Sequence, residues 1–141
     1  MAQNENSQLL KISLLIFAIV ALVYGIGYMF FPQFLVGMSG GEPVGSAWLR
    51  WSGGILVSLG IGAILVYQNP AKQGPFVTTI ALGTLFTGLA LLYALIFEMA
   101  GQTWFTALPM IIVLILSALL WYSRQQAKEL LSQNTSETES T

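Results

Sequence analysis

Charged residues are so sparse along this chain that they leave four long uncharged stretches. These stretches run over residues 12–41, 51–71, 73–97 and 99–123. Each can hold the roughly 20 apolar residues with which an α-helix crosses a hydrocarbon layer about 30 Å thick. Polar residues do not recur within them every three or four positions, as they do on the outer face of a water-soluble helical bundle. The pattern therefore predicts four transmembrane helices, near residues 12–31, 47–67, 76–97 and 106–122.

Proline and glycine separate these predicted helices. Phe31-Pro32 ends the first helix and Asn69-Pro70 the second, while Gly74-Pro75 places a proline in the first turn of the third, where its missing N–H is tolerated. Short connections between spans require neighbouring helices to run antiparallel. The sequence thus predicts an all-α, antiparallel four-transmembrane-helix bundle over residues 1–125.

Two segments are not predicted to cross the membrane. Residues 32–44 mix apolar and small side chains and are expected to lie in the interface as a short helix or a re-entrant turn. Residues 126–141 become rich in Ser, Thr, Asn and Glu. This composition predicts a tail that begins as helix and then becomes disordered.

Basic residues are distributed unequally between the two ends of the predicted spans. Lys11, Lys72, Arg124 and Lys128 fall on the side that holds both termini, and only Arg50 falls on the other. Because Lys and Arg accumulate in cytoplasmic loops, the sequence predicts cytoplasmic N- and C-termini. We expect the protein to lie in a plasma membrane, namely a bacterial inner membrane.

Composition restricts the chemistry that this chain can perform. Apolar residues make up 55% and charged residues 8%, against about 25% charged in soluble domains. There is no Cys and no His, and all six acidic residues are Glu, which excludes thiol chemistry, Cys and His metal sites and a Ser-His-Asp triad. Five scattered basic residues with a net charge of −1 do not form a nucleic-acid-binding stripe. An enzyme is therefore the least expected class, and we predict no metal and no nucleic-acid partner.

Small residues recur at four-residue spacing on two of the predicted spans. The second span carries Gly54, Ser58 and Gly62, and the third carries Gly83 and Thr87. Small side chains let helices approach closely in lipid. These five residues are therefore predicted to pack the helices together.

Extending the two rows outward reaches a charge on each helix. Arg50 precedes Gly54 by four residues, and Glu98 follows Ala94 by four, so each charge shares the face of its row. A charge within the membrane usually has a partner. We predict an Arg50–Glu98 ion pair, with Glu42 as the competing partner. Three indole rings are expected around it: Trp48, Trp51 and Trp104.

The predicted polar cluster has two interpretations. It is either a structural latch between the second and third helices, or the floor of an outward-facing pocket that holds a lipid headgroup, a quinone or another amphiphile. Tyr24 and Tyr93 also lie within spans, where a hydroxyl needs a partner. That partner is either a Ser or Thr on a neighbouring helix or a quinone carbonyl.

The order of features along the chain resembles a family of small bacterial membrane proteins. Residues 30–35 read Phe-Phe-Pro-Gln-Phe-Leu, residues 49–54 read Leu-Arg-Trp-Ser-Gly-Gly, and Asn69-Pro70 closes the second span. Over most of residues 10–125 this order is similar to that of four-helix proteins of the DoxX-like type. The resemblance implies four membrane helices and a membrane subunit associated with quinone-linked redox systems. It implies no catalytic residues.

These features together favour a non-catalytic membrane component. The leading hypothesis is an accessory or assembly subunit, with other membrane subunits, a second copy of the chain and membrane lipid as the possible partners. The alternative is a protein that binds a lipid, a quinone or another amphiphile near Arg50 and Glu98. A small transporter is a weaker alternative, because the spans carry no charge at mid-depth.

Overall fold

The computed structural model describes residues 2–40, 46–70, 73–98, 103–128 and 131, with side chains from residue 7 onward. These residues form helices and, within the ranges just given, no strand. The helices are α1 (Ala2–Phe30), α2 (Pro32–Met38), α3 (Ala47–Gln68), α4 (Gly74–Phe97) and α5 (Trp104–Gln126). All except α2 are long and apolar enough to cross a membrane. The prediction of an all-α membrane protein with four spanning helices is confirmed.

Most helix ends lie within about two residues of the predicted ones, but α1 begins ten residues before the predicted residue 12 and α5 ends four residues after the predicted residue 122. Pro75 lies in the first turn of α4, and α3 begins at the predicted residue, Ala47. The short helix α2 begins at Pro32, which is buried, and Gly40 after it adopts a positive φ of 75° that favours glycine. Residues 41–45 with Glu42, and residues 132–141 of the predicted disordered tail, lie outside the described residues.

The four spanning helices are arranged as two antiparallel pairs. The first pair is α1 with α3, and the second is α4 with α5. The pairs meet through a smaller contact between α1 and α5 and where the Phe76 ring of α4 lies against Gly62 of α3. The backbones of α3 and α4 otherwise stay apart. We call the end of the bundle where α1 begins and α5 ends the terminal end, and the opposite end the far end.

The hydrophobic core is concentrated near the terminal end. Its largest fully buried side chains there are Leu10, Leu14, Val77, Ile80 and Leu120, and they come from the first part of α1, the first part of α4 and the last part of α5. Ala63 and Val66 of α3 complete the same cluster, and Leu131 packs against it. The bundle is therefore closed at the terminal end and more open towards the far end.

Helices α1 and α3 touch backbone to backbone at their glycines. A Cβ atom added at Gly53 would lie 2.7 Å from the carbonyl oxygen of Gly25 and 2.7 Å from the amide nitrogen of Met29. One at Gly60 would lie 2.9 Å from Leu22. Helices associate this closely in lipid only where side chains are small. The residues that pack α3 on α1 are thus Gly53 and Gly60, with Gly25 opposite.

The packing role predicted for two residues of α3 is therefore wrong. A Cβ at Gly54 would meet nothing within 4 Å, and Ser58 is exposed, with its hydroxyl bonded to the Gly54 carbonyl of its own helix. Gly53 lies one residue from Gly54, about 100° around the helix, and it takes the contact instead. Gly62 does pack, since a Cβ there would lie 2.5 Å from the ring of Phe76 on α4.

Helices α4 and α5 pack through a different set of residues from those predicted. A Cβ at Gly88 would lie 2.5 Å from the Leu114 side chain, and the buried Ser117 hydroxyl donates to the carbonyl oxygen of Ala81 at 3.0 Å. By contrast, a Cβ at Gly83 would meet nothing within 4 Å, and Thr87 is exposed. Gly83 and Thr87 therefore do not join these helices.

Candidate functional site

An apolar cavity of about 590 Å³ lies between the two helix pairs and is lined by all four spanning helices. Phe17 and Ile80, which belong to the core, line it towards the terminal end. Tyr28 and Trp48 line it near the far end, where α1 finishes and α3 starts. The cavity therefore extends from the closed core towards the far end of the bundle.

Small residues of α4 provide much of the space in this cavity. The lining includes Thr79, Gly83 and Thr87, which follow one another at four-residue spacing on one face of α4. A Cβ atom at Gly83 would point into this open space, so the row does not pack against another helix. The row that the sequence identified as a packing surface is thus a cavity wall.

Four hydroxyl groups in the lining already donate their hydrogen bonds within their own helices. Each donates to a backbone carbonyl three or four residues earlier, at 2.8 or 2.9 Å. These residues are Ser52, Thr79, Thr84 and Thr87. Their donors are occupied, so these side chains present mainly oxygen lone pairs to the cavity and, in the three threonines, methyl groups.

Two phenols in the lining are free to donate. Tyr24 and Tyr28 lie one turn apart on α1, with ring centroids 6.0 Å apart, and both line the cavity. Within the described ranges, neither hydroxyl is hydrogen-bonded, and the indole N–H of the lining residue Trp48 is likewise unbonded. The sequence indicated Tyr24 by its position within a span. Tyr28 follows four residues later on the same helix face, and this spacing is the signal in the sequence that links the two phenols.

The predicted Arg50–Glu98 ion pair is not formed. The guanidinium group of Arg50 donates to the carbonyl oxygen of Met29 at 2.8 Å, at the end of α1. Position 50 lies two residues from both Trp48 and Ser52, about half a turn around the helix from the cavity wall. Because the first part of α3 packs against the last part of α1, Arg50 bonds to α1, while Glu98 is exposed at the C-terminal cap of α4.

The remaining residues of the predicted site are dispersed. All three of its tryptophans are well exposed, Trp48 and Trp104 at 59% and Trp51 at 71%, and of these only Trp48 also lines the cavity. Tyr93 is exposed and packs beside Phe97. Glu42 lies outside the described residues. The structure thus brings one of the three predicted tryptophans to the cavity and does not bring the charges there.

Cationic side chains lie against aromatic rings at the terminal end. Arg124 lies 5.4 Å above the Trp121 ring and its Nε atom donates to the Thr78 hydroxyl at 2.6 Å, which links α5 to α4. Lys11 lies 6.0 Å from the ring of Tyr67. Aromatic and basic residues in this arrangement are typical of a membrane–water interface.

Comparison with known proteins finds no match to any protein-family model, to any curated protein or to any solved structure. In the part of the chain that the structure describes, no three side chains of His, Cys, Asp or Glu come together. The candidate site is therefore defined by the cavity geometry alone: an apolar space with two free phenols and one indole near its far end.

Proposed function

We propose that this protein binds a hydrophobic or amphiphilic molecule of the membrane in the cavity between its two helix pairs. The observation that carries the proposal is a space of about 590 Å³ to which all four spanning helices contribute. Sites for small molecules are usually concave, largely apolar and about 300–1,000 Å³ in volume. A single row of small residues on α4 accounts for the space that such a molecule requires.

The physics of helix association supports the proposal. Membrane helices associate mainly by close van der Waals packing, because lipid tails are as apolar as the side chains. In α4 the Gly83 row faces a cavity, so this contact is not made between helices. A bound acyl or isoprenoid chain supplies the missing contact.

We also propose that the terminal end faces the cytoplasm. Lys11, Arg124 and Lys128 lie at that end and Arg50 lies at the far end, which agrees with the positive-inside tendency. In this orientation the phenols and Trp48 lie in the outer half of the plasma membrane. The membrane is proposed to be a bacterial inner membrane, as the sequence resemblance implies.

A cavity-filling substitution tests the binding proposal. Gly83→Leu places an isobutyl group in the cavity without displacing a helix, because nothing lies within 4 Å of the Cβ direction. Gly54→Leu is the matched control: it has the same open Cβ direction but does not line the cavity. The probe is a long-chain alkane with a terminal pyrene, added to the protein in lipid nanodiscs, and binding is read as energy transfer from tryptophan.

We expect saturable binding by the wild type and by Gly54→Leu, and its loss in Gly83→Leu. Equal binding by all three proteins, or no saturable binding by the wild type, contradicts the proposal. The accessory-subunit hypothesis stays a prediction. Native mass spectrometry of the protein taken from its own membrane distinguishes the two functions, because a subunit carries a second polypeptide at fixed stoichiometry and a binding protein carries a small molecule.

A further inference from the structure

Tyr24 and Tyr28 form a pair of hydrogen-bond donors on one wall of the cavity. Residues four apart lie on the same helix face, and the two rings are 6.0 Å apart, one turn above the other. Within the residues that the structure describes, neither hydroxyl bonds to a protein acceptor. The Ser and Thr hydroxyls of the same cavity differ, because each donates to its own backbone.

We infer that the bound molecule has an uncharged head with hydrogen-bond acceptors, such as carbonyl oxygens, which the Tyr24 and Tyr28 hydroxyls bind. This inference rests on the proposed binding function and defines its ligand. A donor in an apolar surrounding favours a bound acceptor, since leaving it unbonded there loses the interaction with water without replacement. The head therefore lies beside the phenols, and the chain extends towards Phe17 and Ile80 at the closed end.

The lack of charged side chains in the described cavity lining favours a neutral head on the bound molecule. No Lys, Arg or Glu is among the described residues that line it, and Arg50 is directed towards the Met29 carbonyl on α1. An unpaired charge in such an apolar space is strongly unfavourable. A phosphate or carboxylate head therefore finds no counter-ion here, whereas a neutral acceptor finds two donors.

Two classes of membrane molecule share this chemistry. A neutral glyceride offers ester carbonyls on acyl chains, and a quinone offers ring carbonyls on an isoprenoid chain. The shared feature is a neutral acceptor group joined to a long apolar chain. The two sources differ in mass and in the shape of the head, so competition distinguishes them.

The test removes the two hydroxyls and keeps the rings. A double variant, Tyr24→Phe with Tyr28→Phe, is compared with Tyr93→Phe, whose exposed phenol lies away from the cavity. Two pyrene-labelled probes of equal chain length are used, one a methyl ester and the other a plain alkane. For two neutral hydrogen bonds we expect the double variant to bind the ester about tenfold more weakly, with alkane binding unchanged and Tyr93→Phe like the wild type.

The outcomes separate this inference from the proposed function. If the double variant binds both probes as the wild type does, the phenols do not select the head, and only the inference is overturned. If the wild type binds neither probe, the binding function itself is wrong. Displacement of the ester probe by a diacylglycerol or by a decyl-substituted benzoquinone supports the inference and identifies the source. Stronger displacement by phosphatidylglycerol, which is anionic, overturns it.

Discussion

Gly53 and Gly54 are neighbours on α3, and the structure predicts opposite effects of the same substitution. At Gly53 a new Cβ would lie 2.7 Å from two backbone atoms of α1, the Gly25 oxygen and the Met29 nitrogen. Ordinary contacts of a Cβ atom begin at 3.4 Å. The two helices must therefore separate by about 0.7 Å at their crossing, because backbone atoms cannot rotate away as a side chain does.

The magnitude follows from the cost of overpacking. Forcing additional carbon into a close-packed contact costs about 1–3 kcal/mol. Alanine also has a higher helix propensity than glycine, by up to about 1 kcal/mol, but this term acts at both positions. The difference in free energy of unfolding between Gly53→Ala and Gly54→Ala therefore isolates the contact with α1, and we expect it to be about 1–3 kcal/mol.

Reversible unfolding by sodium dodecyl sulfate in mixed micelles measures this difference. Circular dichroism reports the helix content, and tryptophan fluorescence reports separation of the pairs. We expect Gly53→Ala to unfold at a lower mole fraction of the denaturing detergent than the wild type, and Gly54→Ala at the same or a slightly higher one. Coincident midpoints for the two variants would refute the close approach of α1 and α3 at Gly53.

Two further predictions concern the second helix pair and the topology. Ser117→Ala removes the hydrogen bond to the Ala81 carbonyl on α4, and we expect it to lower the free energy of unfolding by about 0.6 kcal/mol in the same assay. The control is Ser58→Ala, whose hydrogen bond lies within α3 and which we expect to leave this free energy unchanged. The chain contains no Cys, so the single substitutions Gln8→Cys, Gln126→Cys and Glu98→Cys report sidedness. A membrane-impermeant maleimide applied to the outside of intact cells is expected to label only the Glu98→Cys variant, and labelling at position 8 or 126 contradicts the proposed orientation.

The sequence predicted the helices well because lipid imposes a strong requirement on every span. About 20 residues without charge suffice for a crossing, and prolines mark the ends, as Pro75 does in α4. The sequence did not predict correctly which helix faces pack against each other. A row such as Thr79, Gly83 and Thr87 is compatible with a close helix contact or with a cavity, since both require small side chains.

The candidate site was harder to predict for a second reason. The sequence indicates that α3 and α4 are joined by a short connection, and adjacency along the chain led to the expected pairing of Arg50 with Glu98. In the structure α3 pairs with α1, because Gly25 and Gly53 allow their backbones to touch. Arg50 consequently reaches the Met29 carbonyl. Only the pairing of helices, which depends on packing across the whole bundle, determines which residues share a cavity.

The separation of α3 from α4 has a consequence for how the cavity fills. Both helices line it, but apart from Phe76 against Gly62 near the terminal end their backbones make no close approach. Helix packing therefore closes the wall between them only near the terminal end. A ligand of the proposed kind, dissolved in the bilayer, would enter sideways between these helices and would cross no water layer. Occupancy would then be set by the mole fraction of that ligand among the lipids, and an affinity expressed per litre of buffer would have no fixed value.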